Sequence, residues 1–170
     1  MQYDTREFYQ DIREKFQEEL GTARLDGLQQ RDDLFCQIRR GDKIALIGKD
    51  SARWCIVYMA AVTYGAIIVP ILQDFSPNDV HHIINHSESV FLFVSDRIWD
   101  TLEEEMIEDV RGVFSLSDFR CLHQRDGESI QKLLKGMDEK MAEKYPDGFG
   151  KDDIEYAELD NDKVVLLNLS

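Results

Sequence analysis

The sequence predicts an α/β fold: an open, mostly parallel sheet with helices on both faces. Three observations carry this prediction. Lys43–Ile47, residues 66–71 and residues 90–94 are short, nearly unbroken apolar runs, the signature of strands buried on both sides. Between them lie segments with clear helix start and stop signals. Strands that alternate with helices build a parallel sheet joined by right-handed crossovers.

The elements follow in chain order. Phe8, Ile12, Phe16 and Leu20 fall at steps of four, the apolar stripe of an opening amphipathic helix. Residues 21–33 are polar and unperiodic, a loop or short extra helix. Lys43–Ile47 is a strand closed by Gly48, and Asp50 or Ser51 can cap the helix behind it. Residues 55–72 carry no charge over about the length of a membrane span. Their character changes at Gly65, however, from Ala- and Met-containing to β-branched, so they read as a buried helix turning into a buried strand.

Ser76, Pro77 and Asp79 form a strong helix start: a cap, a proline at the first helical position, and an acid in the first turn. That helix runs to His86 or Ser87. Residues 90–94 are a third buried strand, 98–107 a third helix, and 113–116 a weaker strand. Ile130, Leu133, Leu134, Met137 and Met141 mark one face of a single further helix that ends near Tyr145 and Pro146. After an acidic loop, residues 164–167 read as a last buried strand.

With 20 basic and 34 acidic residues among 170, the net charge is −14. Such a surface repels phosphate backbones and anionic head groups, which argues against nucleic-acid and membrane-surface binding. Cys36, Cys55 and Cys121 are an odd, widely spaced set, neither a disulfide framework nor a zinc knuckle. The N-terminal residues carry no apolar signal segment. Reduced thiols and a cytoplasmic location fit these features.

Residue chemistry alone offers few engines. No Gly-rich dinucleotide fingerprint, P-loop lysine motif, zinc-protease motif or nucleophile elbow is present. Gly48-Lys49-Asp50-Ser51 lies at a strand-to-helix turn, a usual place for phosphate, but with one glycine and an aspartate it reads as a plain turn. His82 and His86 have the i, i+4 spacing of a metal clamp, with His81 on another face; lacking a third ligand, they read as a polar helix face. Asp152 and Asp153 lie in a solvated loop, and Trp54 and Trp99 on apolar helix faces as core. No catalytic or metal-ligating residue is assigned.

Residues 41–96 nonetheless resemble the N-terminal region of adenylate-forming enzymes, most closely long-chain fatty-acid–CoA ligases. The resemblance rests on Gly41-Asp42, Ser51 and Trp54, Gly65, Val69-Pro70, Ser76-Pro77-Asn78-Asp79, and Ile83-Ile84 with Ser87. Upstream, residues 3–12 are similar to the family's opening helix and residues 38–41 to its junction. Residues 20–34 depart from the pattern, being longer and more polar than the family's link. Together the motifs cover most of the chain and are densest in its middle third.

The resemblance implies a parent enzyme that joins a fatty acid to ATP as an acyl-adenylate, releasing pyrophosphate, and passes the acyl group to coenzyme A with Mg²⁺ assistance. It also implies that residues 164–170 lead into the family's Gly- and Thr-rich loop around the ATP triphosphate, with Ser170 as its first residue. Residues 1–40 are then an N-terminal helical segment and variable link, and residues 41–170 an α/β subdomain cut at the start of that loop. The partner expected is the remainder of its own polypeptide; no cofactor is expected for this chain alone. The competing readings are a stand-alone α/β protein-interaction module and a flavodoxin-like small-ligand binder using the turn at Gly48.

Overall fold

The computed structural model describes residues 38–125, 129–153, 157 and 162–168. The opening helix, the link at residues 21–33, Cys36 and Ser170 lie outside the described residues.

Strand β1 (Lys43–Ile47) is followed by helix α1 (Ala52–Tyr64), β2 (Ile67–Ile71), α2 (Pro77–Ser87) and β3 (Ser89–Val94). A single turn, α3 (Asp96–Trp99), and a 3₁₀ turn (Glu104–Met106) lead to β4 (Gly112–Ser115) and β5 (Cys121–Gln124). Helices α4 (Ser129–Lys135) and α5 (Met137–Lys144) come next. The strands are ordered β2-β1-β3-β4-β5. Those from β2 to β4 are mutually parallel, and β5 is antiparallel to β4.

Side-chain alternation divides the core into two layers. Ile44 and Leu46 of β1 face one way, with Ile68 and Phe91, against Val57, Ala61 and Tyr64 of α1 and Ile130 and Met137 of the C-terminal helices. Ala45 and Ile47 face the other way, with Val69, Leu92 and Val94, against Val80, Ile83 and Ile84 of α2 and Ile107 and Val110 of the connection to β4. Period-two alternation explains why each strand reads as continuously apolar: both of its faces are covered.

The helix boundaries obey the local rules. Ser51 Oγ accepts the Trp54 N–H at 3.2 Å, and Ser76 Oγ accepts the Asp79 N–H at 3.3 Å with Pro77 opening the helix behind it. Helix α1 ends at Gly65, whose φ of 91° lies in the left-handed region; its N–H closes onto the carbonyls of Ala61 and Val62. The uncharged stretch from Cys55 therefore is a helix, a glycine turn and a strand. Among the described residues no helix is long and apolar enough to cross a membrane.

Pro70 lies inside β2 without harming the sheet. The Ile68 N–H donates outward to Val165 O at 3.0 Å, and Ile68 O accepts from Leu167 N–H at 2.9 Å, both on the side away from β1. Two residues on, Pro70 faces the same outer side, so the donor it lacks is not one that β1 requires.

Three expectations change, and one strand was not foreseen. Residues 98–107 form the short α3 and a 3₁₀ turn instead of one helix. The reason is that α2 captures this backbone: His81 Nε2 accepts the Glu103 N–H at 3.1 Å, while Asn85 donates to Met106 O at 2.8 Å and accepts from Glu108 N–H at 3.1 Å. The single helix expected from Ile130 to near Tyr145 is two helices divided at Gly136, the residue type that most weakens a helix interior after proline. Strand β5 is a half-buried four-residue edge, Cys-Leu-His-Gln, too short to show a period in the sequence. Residues 164–167 do pair beside β2, through a parallel bridge from Ile68 to Leu166, yet Val164, Val165 and Leu166 are 60, 44 and 39% exposed instead of buried.

Gly65 makes the fold testable. A Cβ there would be in the left-handed region and 3.0 Å from Ala157 Cβ. Gly65→Ala is expected to lower stability by about 1–3 kcal/mol, read as a shift of the urea midpoint with an unchanged slope.

Candidate functional site

In an open α/β sheet, ligands bind outside the carboxyl ends of the strands where the strand order reverses. Here the chain leaves β1 toward β2 on one side and returns to β3 on the other, so the reversal lies between β1 and β3. Three segments meet at that edge: Gly48 to Ser51 after β1, Ser95 and Asp96 after β3, and Leu116 to Arg120 after β4, whose last residue is Ser115.

Gly48 is the contact point. A Cβ on it would lie 2.7 Å from Leu116 Cδ1 and 3.6 Å from Ser95 Cβ and N. Leu116 is itself only 7% exposed, and its N–H donates to Val94 O at 2.9 Å, while the Ser95 N–H donates to Ile47 O at 3.2 Å. The space a phosphate would need beside this glycine is therefore filled by a leucine side chain. Gly48 serves close packing, and the plain-turn reading of Gly48-Lys49-Asp50-Ser51 accords with this geometry; Lys49 and Asp50 project to solvent.

Around Leu116 runs a polar network. Arg120 Nη2 donates to Asp96 Oδ1 at 2.7 Å, and the Ser117 hydroxyl donates to Asp96 Oδ2. Ser117 Oγ also meets Ser115 Oγ at 2.6 Å, and Arg120 Nη1 donates to both oxygens of Asp118 at 3.0 Å. The Ser117 hydroxyl, with help from Ser115 and Arg120, holds the Asp96 carboxyl below its ordinary range. The Arg120 backbone N–H, followed by its guanidinium, does the same for Asp118. Asp118 in turn raises Arg120.

All three groups are thus ionised at neutral pH, two carboxylates around one guanidinium. The assembly carries net negative charge and clips the start of α3 to the β4–β5 turn. Its chemistry suits holding that turn, where Phe119 sits at φ 61° with Arg53 Cζ 5.9 Å from its ring centroid, more than it suits binding an anion. Sequence reasoning missed Asp96, Ser115, Ser117 and Arg120. The available signal was the run of polar residues directly after two buried strands.

The other candidates are dispersed. His81 is buried against the Glu103 backbone, whereas His82 and His86 stack on the exposed face of α2 with ring centroids 5.6 Å apart. Asp153 accepts the Gly150 N–H at 2.8 Å and, like Asp152, is exposed. Trp54 stacks on Tyr58 at 5.5 Å, and Trp99 packs against the second core layer. Among the described residues no group of three or more His, Cys, Asp or Glu could hold a metal ion.

The AMP-binding enzyme family matches over residues 34–168. The chain belongs to the AMP-binding enzyme family. Its fold is that of the N-terminal subdomain of adenylate-forming enzymes. A long-chain-fatty-acid–CoA ligase from Archaeoglobus fulgidus superposes with a TM-score of 0.54 at 17% identity, over 77% of this chain and 23% of that one. An anthranilate–CoA ligase solved with anthranoyl-AMP gives 0.53 at 20% identity, over 65% and 20%.

Acyl-CoA ligase sidI of Aspergillus fumigatus is 27% identical over 70 residues, 41% of this chain. The chain covers 12% of that relative's length and about a fifth of the two structures.

Two outcomes follow from the edge geometry. Gly48→Ala is expected to cost about 1–3 kcal/mol by overpacking, and much of that loss should vanish in the Leu116→Ala background. Additive effects in that double-mutant cycle would show that the two residues are not in contact. The second outcome concerns acid. Because the folded state depresses Asp96, the unfolded state binds more protons on acidification, and the stabilisation present near neutral pH fades as pH falls through the folded value. Urea midpoints measured from about pH 6 to pH 3 should fall less steeply in Asp96→Asn than in the unsubstituted chain.

Proposed function

We propose that this chain is the N-terminal part of a fatty-acid–CoA ligase, an enzyme that converts fatty acid, ATP and coenzyme A to acyl-CoA, AMP and pyrophosphate through an acyl-adenylate. The supporting observation is the parallel bridge between Ile68 and Leu166. A segment parallel to β2 is carried toward the carboxyl edge of the sheet, the edge at which open α/β sheets bind ligands. Continuing it two residues past the described Asn168 leads to Ser170, which this reading makes the first residue of the loop around the ATP phosphates. Residues 1–40 are then a helical segment with a variable link, and 41–170 the α/β subdomain that supplies part of the sheet beside the active-site cleft.

The exposed apolar side chains support the same reading. Val164, Val165 and Leu166 lie beside β2, and Leu72, 67% exposed, follows its end. Such residues along one sheet edge suit cover by the remainder of the same polypeptide. ATP and coenzyme A, with Mg²⁺ on the phosphates, belong to the complete enzyme, as does a cytoplasmic location. The flavodoxin-like alternative loses its basis at Gly48, whose neighbourhood Leu116 fills.

The acid substrate is tested by exchange of labelled pyrophosphate into ATP. The full reading frame containing this chain should support exchange with palmitate and Mg²⁺, whereas the 170-residue chain alone should support none. Exchange with anthranilate but not palmitate would keep the ligase and replace the fatty acid by an aryl acid. Absence of exchange with any carboxylic acid, from a folded full-length protein, would overturn the ligase reading.

A further inference from the structure

Helix α2 is anchored along its inner face and open along its outer one. Val80, His81, Ile83, Ile84 and Ser87 are buried; His82 and His86 point to solvent. Both ends of the helix are capped, by Ser76 and by the left-handed Glu88. His81 and Asn85 bind the backbone of residues 103–108 beneath it. The two outer imidazoles thus project from a rigid scaffold one turn apart. Their rings lie 6° from parallel with centroids 5.6 Å apart, and no hydrogen bond among the described residues engages either ring.

We propose that His82 and His86 form a two-imidazole chelate for a divalent transition ion of the copper, nickel and zinc class, with water completing the coordination shell. The chemistry follows from the side chains. Neutral imidazole nitrogen is a good ligand for these ions and a poor one for Mg²⁺ or Ca²⁺, which take oxygen. Metal–nitrogen bonds of about 2.0–2.1 Å require the two donor atoms to converge, which small χ rotations of two exposed side chains achieve. Holding both ligands on one capped helix removes most of the ordering that chelation otherwise costs. Glu88, bound to Lys43 Nζ at 2.9 Å, is engaged elsewhere and is not counted as a ligand. The overall charge of −14 attracts cations to the surface on which the pair stands.

The test is calorimetric titration of NiCl₂ into the untagged 170-residue chain, repeated with CuCl₂, CoCl₂ and MgCl₂. One saturable site is expected, with affinity in the order copper, nickel, cobalt and no competition from excess Mg²⁺. His82→Ala and His86→Ala should each weaken nickel binding by about tenfold or more, since losing a ligand costs at least as much as losing its support. Both substitutions are on exposed positions, and circular dichroism of each variant checks that the fold is retained. Nickel binding that survives in the double variant, is displaced by Mg²⁺, or does not saturate below millimolar concentration overturns the proposal; the first two outcomes assign the ion to surface carboxylates instead.

Discussion

The structure depends on the burial of β1 on all four sides. Its backbone pairs with β2 and β3, and its side chains alternate between two helical layers, so Ala45, Leu46 and Ile47 are each 0% exposed. From Ile44 to Ile47, past the register irregularity that β3 makes at Lys43, the strand has no room for a polar residue and no tolerance of a further shift. Moving by one residue would exchange the Ile44–Leu46 face with the Ala45–Ile47 face and mismatch both layers. The caps at Ser51 and Gly65 keep α1 at the length needed to return the chain beside β1, which is how local chemistry serves this constraint.

The same constraint explains the carboxyl edge. Where β1 ends, its neighbours end too, and their backbone groups must be satisfied without a further strand. Ser95 N–H and Leu116 N–H each donate to the last carbonyls of a neighbouring strand, and the side chain of Leu116 seals the opening above Gly48. Asp96, Ser117 and Arg120 then form a solvated lid around that leucine. Exposed ion pairs contribute little individually. Their combined effect here is geometric: they fix a turn that includes a phenylalanine in the left-handed region.

What was legible in the sequence is what short-range rules determine. Lys43–Ile47 emerges with its observed bounds, and the caps at Ser51, Gly65 and Ser76 stand where side-chain chemistry requires them. The misread segments are those governed by distant partners. Nothing local in residues 98–107 says that His81 and Asn85, about twenty residues earlier, take up their backbone groups. Likewise Val164 to Leu166 have the composition of a buried strand, but burial is a property of the neighbours, and the described residues beside them leave all three exposed. The network at Asp96 and Arg120 escaped because its members come from two turns joined only by the sheet order.

Val164 to Leu166 also show how composition and exposure together constrain interpretation. A β-branched run at a sheet edge favours pairing with another chain unless something covers it. Pro70 blunts that edge on the β2 side, since the outer neighbour finds no donor there, and among the described residues pairing with β2 on that side is confined to Ile68. An edge made partly adhesive by apolar side chains and partly inert by a proline suits one defined neighbour better than indiscriminate association. The matched structures are four to five times the length this chain covers.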